Sequence, residues 1–342
     1  MRKLLLVSLL ALALPGAARS AACSPLNCAP SQFSLAGGQL LGYRLASDRP
    51  VTIVDLATGK ARFALPDGIT ARSVLVHQDG LTLEWWDMTT GKRTQTATLP
   101  EVGQLSGVSQ DGSRAVTILG RSLRVVSPTS QVALTLPPGQ WQFDALLGDK
   151  LYLIEYLKTG GYRVRLLTVS TGVLAAKPLK DPHESGVIWG SPYSRLSSPD
   201  GRYLFTLYIA GNGAAMVHEL DLKTATARCI DLPGSGDYLS ATSWALALRG
   251  HTLWAASPGY ARVVGIDVRT RKVVRAFSLE FAYWNRGNGT RASLSPDGTR
   301  LALADGETVA VVGLARRTML SRTSEKAVAV GYSPSGRLWT LT

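Results

Sequence analysis

The sequence predicts an all-β protein, a single β-propeller, and two recurring motifs carry that prediction. Short alternating apolar strands run into turns of the type Ser-Pro-Asp-Gly, as at 198–201 and 295–298. Further strands meet at sharper hairpins of the type Asp-Leu-Ala-Thr-Gly-Lys, as at 55–60. Repeats of three or four strands that cannot bury their own faces stack radially into a ring.

The chain opens with Arg2 and Lys3, an apolar run from Leu4 to Leu14, then Pro15 and a small-residue stretch ending at Ala22. That order reads as a secretory signal peptide over 1–22, too short for a stable transmembrane span. Residues 23–30 form a cysteine-containing segment, and 31–342 form the propeller domain. The protein is therefore expected to be exported, periplasmic or extracellular, where disulfides persist. Its cysteines, Cys23, Cys28 and Cys229, are an odd set. Cleavage before Cys23 would let that residue carry lipid and leave Cys28 and Cys229 as a disulfide. The alternatives are ordinary cleavage with a Cys23–Cys28 bridge, or unpaired thiols.

Inner-strand turns are read at Gln78-Asp79-Gly80, Gln110-Asp111-Gly112, Pro199-Asp200-Gly201, Pro296-Asp297-Gly298 and Pro334-Ser335-Gly336, with weaker copies at 148–150 and 249–251. Pro presets φ, Asp folds back on the backbone and Gly takes the left-handed position. Outer hairpins follow at 55–60, 87–92, 126–131, 169–173, 221–226, 267–272 and 313–318, flanked by β-branched residues. Seven outer hairpins imply seven blades, with the ring closed by strands from both termini so that no edge is left exposed. If Phe33 to Leu45 forms its own inner hairpin, the first blade is complete and an eighth, partial blade remains.

These turns and hairpins resemble those of bacterial exported propellers of the YVTN and WD-repeat-like kind, across nearly all of the mature chain. The run from Val217-His218-Glu219-Leu220-Asp221 to Cys229-Ile230-Asp231-Leu232-Pro233 is similar to a segment of such proteins. The resemblance brings no assigned activity. It implies that inner-pair and outer-pair turns share one face of the ring, while blade-to-blade and middle loops share the other. The regular Trp-Asp dipeptides of eukaryotic WD repeats are missing, so the scaffold roles of that family carry over weakly.

The formal charge is +13 over 342 residues, which favours anionic partners. The bases are spread along the chain with no run of five, so a solvated arginine-rich surface is the competing explanation, and no nucleic-acid partner is expected. No spaced His/Cys set suggests zinc, no acidic loop suggests calcium, and Gly211-Asn212-Gly213 lacks the strand-to-helix setting of a phosphate loop. No cofactor and no metal is expected. Ser191 and Ser257 precede Pro without a nucleophile elbow.

Function is expected where the repeat breaks. The junctions at 180–195, 232–242 and 279–291 are long and consecutive around the ring. They hold Trp189, Tyr193, Arg195, Tyr238, Trp244, Tyr283, Trp284 and Arg286, residue types that anchor interfaces. The middle loops at 210–213 and 257–260 should flank them. Each aromatic has an alternative role as a plug between blades, so a site requires that several converge at one mouth of the channel. The reading is a non-enzymatic, monomeric binding protein of the cell envelope that captures a protein, peptide or glycan partner. The alternative is a lyase or hydrolase using His183 and Glu184 at the channel mouth, with Arg195 or Arg286 stabilising an anion. His218 alternates within a strand and reads as a buried structural group, while His77 and His251 lie beside turns.

Overall fold

The computed structural model describes residues 31–44, 49–281, 290–327 and 329–342. The signal peptide, Cys23 and Cys28, and Tyr283, Trp284 and Arg286 lie outside the described residues. Seven four-stranded antiparallel sheets follow one another along the chain, spanning 31–65, 69–98, 104–135, 140–174, 191–232, 245–278 and 291–324; these are blades 1 to 7. A two-stranded sheet, Ala329–Tyr332 with Leu338–Leu341, follows blade 7.

The seven blades agree with the seven outer hairpins, and the chemistry is local. Asp55 accepts hydrogen bonds from the backbone N–H of Ala57 and Thr58 at 2.8 and 3.1 Å. Asp87, Asp221 and Asp267 do the same two and three residues on. The left-handed corner falls to Gly59, Gly91 and Gly172 in three hairpins, and to Ala225, Arg271 and Arg317 in three others. The inner turns are pinned differently. Ser109 and Ser295 each donate to the Asp two residues on at 2.5 Å, and each hydroxyl accepts from the N–H five residues on at 2.9 Å.

One inner turn differs from expectation. Gln78-Asp79-Gly80 joins the second and third strands of blade 2, on the opposite face. The inner strand of that blade is only Ile69–Ala71, and its turn is at Arg72 and Ser73.

Middle strands are buried on both sides because each blade is sandwiched between neighbours. In blade 5, Tyr203–Ile209 is buried at all but its first residue and reads as a nearly continuous apolar run. Outer strands such as Lys92–Thr98 are exposed and polar. Apolar clusters accordingly lie between blades, for example Phe205, Leu207, Val217, Trp244 and Leu253 between blades 5 and 6.

Residues 31–44 do form their own hairpin, so blade 1 is complete and the C-terminal pair stands as a separate two-stranded sheet. The ring is still closed by strands from both termini, through side chains instead of a shared ladder. The Gln32 amide donates to Val330 O at 2.7 Å and to Ala292 O at 3.2 Å, and accepts from Val330 N at 2.9 Å. It imitates a peptide unit at an edge that would otherwise be unpaired. The pair is wedged in place by Val330 and Tyr332 against blade 7, and by Ala329 and Trp339 against Leu41 and Leu56 of blade 1. Trp339 lies over Gly59, where a Cβ would come within 2.5 Å of the indole.

Candidate functional site

The two faces of the ring are unequal, as expected. Inner and outer turns are short throughout, whereas the junctions 175–190, 233–244 and 279–290 swell. The first of them does not stand free. The fourth strand of blade 4 is only Val173–Leu174, and the junction continues along the exposed edge of Tyr162–Thr168. Leu179 pairs with Val164 and Ile188 pairs with Tyr162, so the junction serves as the missing edge of the blade.

This course decides the place of His183 and Glu184. Asp181 accepts from His183 N at 2.9 Å and from Cys229 N, on the outermost strand of blade 5, at 3.0 Å. Both His183 and Glu184 are exposed there, on the outer rim between blades 4 and 5, and not at the channel mouth. Cys229 is half-buried and has no disulfide partner among the described residues; its thiol is pushed up to about 12 by burial and by the nearby Asp181, Glu184 and Asp231.

At its end the same junction rises to the loop face and presents Trp189, 59 % exposed. Its indole rests against Gly160 and Gly161 of the blade 4 middle loop, whose lack of side chains lets the ring approach the backbone. Beside it, Tyr156 is 39 % exposed and donates to Gln142 Oε1 at 2.6 Å. In blade 5, Tyr193 occupies a bulge in the inner strand, between Pro192 and Ser194. A bulge re-aims a side chain, and here the phenol meets that of Tyr238 hydroxyl to hydroxyl, with ring centroids 6.1 Å apart. Burial and the partner hydroxyl raise the Tyr193 phenol well above its ordinary range.

Tyr238 starts a single helical turn, Tyr238–Ala241, capped by Asp237, which accepts from Leu239 N at 3.0 Å. The turn is anchored from below. The Tyr260 hydroxyl lies 2.9 and 2.7 Å from the carbonyls of Gly213 and Asp237, so the middle loops of blades 5 and 6 do flank this cluster. The anchoring leaves Tyr238 and Leu239 facing solvent, 38 % and 56 % exposed.

Trp244 differs from its expected role. It is 2 % exposed and packs in the core between blades 5 and 6, beside Tyr260 at 6.4 Å, just before the inner strand Ala245–Arg249. Arg195 also points inward, to the channel wall. It pairs with buried Asp144 of blade 4 at 2.6 Å and donates to the Asp144 carbonyl at 3.0 Å.

The Arg195–Asp144 pair belongs to a polar seam between blades 4 and 5 that the sequence did not reveal. Arg195, Thr206, His218 and Cys229 are aligned across the four strands of blade 5. Rings of Tyr156, Tyr162, Tyr208 and His218 follow at centroid distances of 5.9, 5.4 and 6.1 Å. The hydroxyls of Tyr162 and Tyr208 and the Nε of Arg195 are buried without a hydrogen-bond partner among the described residues. His218 is buried as expected, and desolvation lowers its pKa. Among the described residues, no group of three or more His, Cys, Asp or Glu is arranged to hold a metal ion, and no helix is long and apolar enough to cross a membrane.

This is the architecture of a β-propeller with an asymmetric loop face, and comparison with solved structures agrees on the fold. The chain is similar to apo AztD from Citrobacter koseri, with 14 % identity and a TM-score of 0.54 over 86 % of this chain and 85 % of that one. It is similar also to the dihydro-heme d1 dehydrogenase NirN in complex with DHE, with 14 % identity and a TM-score of 0.53 over 88 % of this chain and 67 % of that one. At such identities the likeness is one of fold alone. No protein-family model and no curated protein matches the sequence.

Proposed function

We propose that this protein is an exported binding protein of the cell envelope whose propeller presents a loop face for capture of a protein, peptide or glycan partner. The observation that carries the reading is the group of exposed aromatic and apolar side chains, Trp189, Tyr156, Tyr238 and Leu239, contributed by blade 4, by the junctions and by the helical turn after blade 5. Large apolar groups displayed together on a rigid, hydrogen-bonded support are the composition of an interface centre. Export is supported by the charged, apolar and small-residue order of 1–22.

The test is recovery of partners from cell-envelope extract by the wild-type protein and by a Trp189→Ala/Tyr238→Ala variant with an unchanged melting temperature. The proposal expects one or more partners to be lost with the variant. Equal recovery of every partner contradicts it.

A further inference from the structure

The turn face, opposite the aromatic group, is built around a ring of bases. At the inner turns of blades 2 to 7 and of the terminal pair stand Arg72, Arg114, Lys150, Arg202, Arg249, Arg300 and Arg337, one to each turn. Four of them are held by neutral backbone carbonyls of other turns. Arg72 reaches Asp200 O at 2.7 Å and Arg300 reaches Gly336 O at 3.1 Å, while Arg114 and Lys150 bond the carbonyls of Gly148 and Lys223. A carbonyl positions a cation without cancelling its charge. The outer turns add exposed Lys60, Arg316 and Arg317.

The acids of this face offset the bases only in part. Asp221, Asp267 and Glu219 pair with Arg202, Arg269 and Arg271. Asp55, Asp87, Asp111, Asp149, Asp200 and Asp297 also lie on this face, hydrogen-bonded to Ser, Thr or N–H groups of the turns, and they remain fewer than the bases. The loops of the other face mix bases with acids such as Asp67, Glu101, Asp237, Glu280 and Glu307. Among the described residues the turn face therefore carries more bases than acids.

We infer that the turn face docks on an anionic phospholipid bilayer, leaving the aromatic loop face turned away from the membrane. The shape of the array selects this partner. The turns are short, and a base stands at the inner turn of each of blades 2 to 7 and of the terminal pair, so the charges are distributed around the ring. A compact anion needs cations that converge on a point, whereas a bilayer presents phosphates across a plane, and each base near such a surface adds to the attraction. The inference stands apart from the proposed function, because the two concern opposite faces and separate residues.

The experiment is co-sedimentation of the protein with vesicles of phosphatidylcholine alone, or containing about a third phosphatidylglycerol, at low and high salt. Binding is expected only to the anionic vesicles and is expected to fade as salt screens the charges. An Arg316→Glu/Arg317→Glu/Arg337→Glu variant is expected to bind roughly a hundredfold more weakly. An Arg49→Glu/Lys158→Glu/Lys326→Glu variant, with the same change in net charge on exposed loop-face positions, retains binding. All six positions are exposed, and unchanged melting curves establish that both variants fold. Equal binding to neutral vesicles, equal loss in both variants, or retention of soluble polyphosphate with no vesicle binding would each overturn the inference.

Discussion

Arg195 shows how a residue chosen for one role is held by another. In sequence it sits among loop aromatics and looks available to a ligand, but its guanidinium is engaged with Asp144, whose carboxylate is 2 % exposed. Removing the base leaves that carboxylate buried and alone, a change that costs about 3 to 5 kcal/mol. Arg195→Ala is therefore expected to lower unfolding free energy by that amount in urea titration. Tyr208→Phe should have the opposite sign. Its hydroxyl is buried with no partner among the described residues, and deleting an unsatisfied group is expected to stabilise by about 1 kcal/mol. A destabilised Phe variant would show that the hydroxyl is satisfied in solution. Neither residue's situation was legible in the sequence, because Asp144 lies some fifty positions from Arg195. The difference between Trp189 and Trp244 was hidden for a similar reason. Both are junction tryptophans, and only their neighbours decide that Trp189 lies over glycines while Trp244 is covered by blade 6.

At the scale of the element, the seven outer hairpins were legible because every contact that forms them is made within six residues. The inner turn of blade 2 was not, since Gln-Asp-Gly makes an equally good turn between any two strands and Ile69–Ala71 is too short to show alternation. The same turn chemistry makes a prediction about pH. Hydrogen bonds from the N–H of Thr270, then Arg269, hold Asp267 at about 2, and the Ser295 hydroxyl and Thr299 N–H hold Asp297 at about 2. Asp55 is lowered likewise by the N–H groups of Thr58 and Ala57. An unfolded Asp titrates at about 3.9, so below that pH the unfolded chain binds more protons than the folded one. The stabilisation is complete above about 4 and is lost as pH falls through about 2. The urea midpoint should accordingly drop across this window, and an Asp55→Asn/Asp267→Asn/Asp297→Asn variant should show a shallower drop. An unaltered acid limb in that variant would remove the turns as its source.

For the whole molecule, the open question in the sequence was how the ring closes. Counting outer hairpins predicts seven blades, and seven four-stranded sheets are present. The hairpin at 31–44 then leaves the C-terminal strands as a sheet of their own, and the seam between blade 1 and that sheet depends on the Gln32 amide. Gln32→Ala is expected to cost about 2 kcal/mol and to speed hydrogen exchange at Val330 selectively, since its N–H bonds the lost oxygen. Uniform acceleration across all blades would indicate that the seam is not a distinct weak point. The location of the exposed aromatic group was legible only as far as the swollen junctions. Their lengths marked the face, whereas the folding of the first junction onto blade 4 placed His183 on the rim and Trp189 on the face through pairings at Leu179 and Ile188.

The central claim is that the loop face meets a partner in the envelope. Site-specific photo-crosslinking in intact cells tests it most directly, with the crosslinker at Leu239 on that face or at Val274 on the outer rim, 56 % and 53 % exposed respectively. The account predicts a discrete adduct from position 239 and none from 274. Adducts from 274 alone, or from neither position, would contradict it.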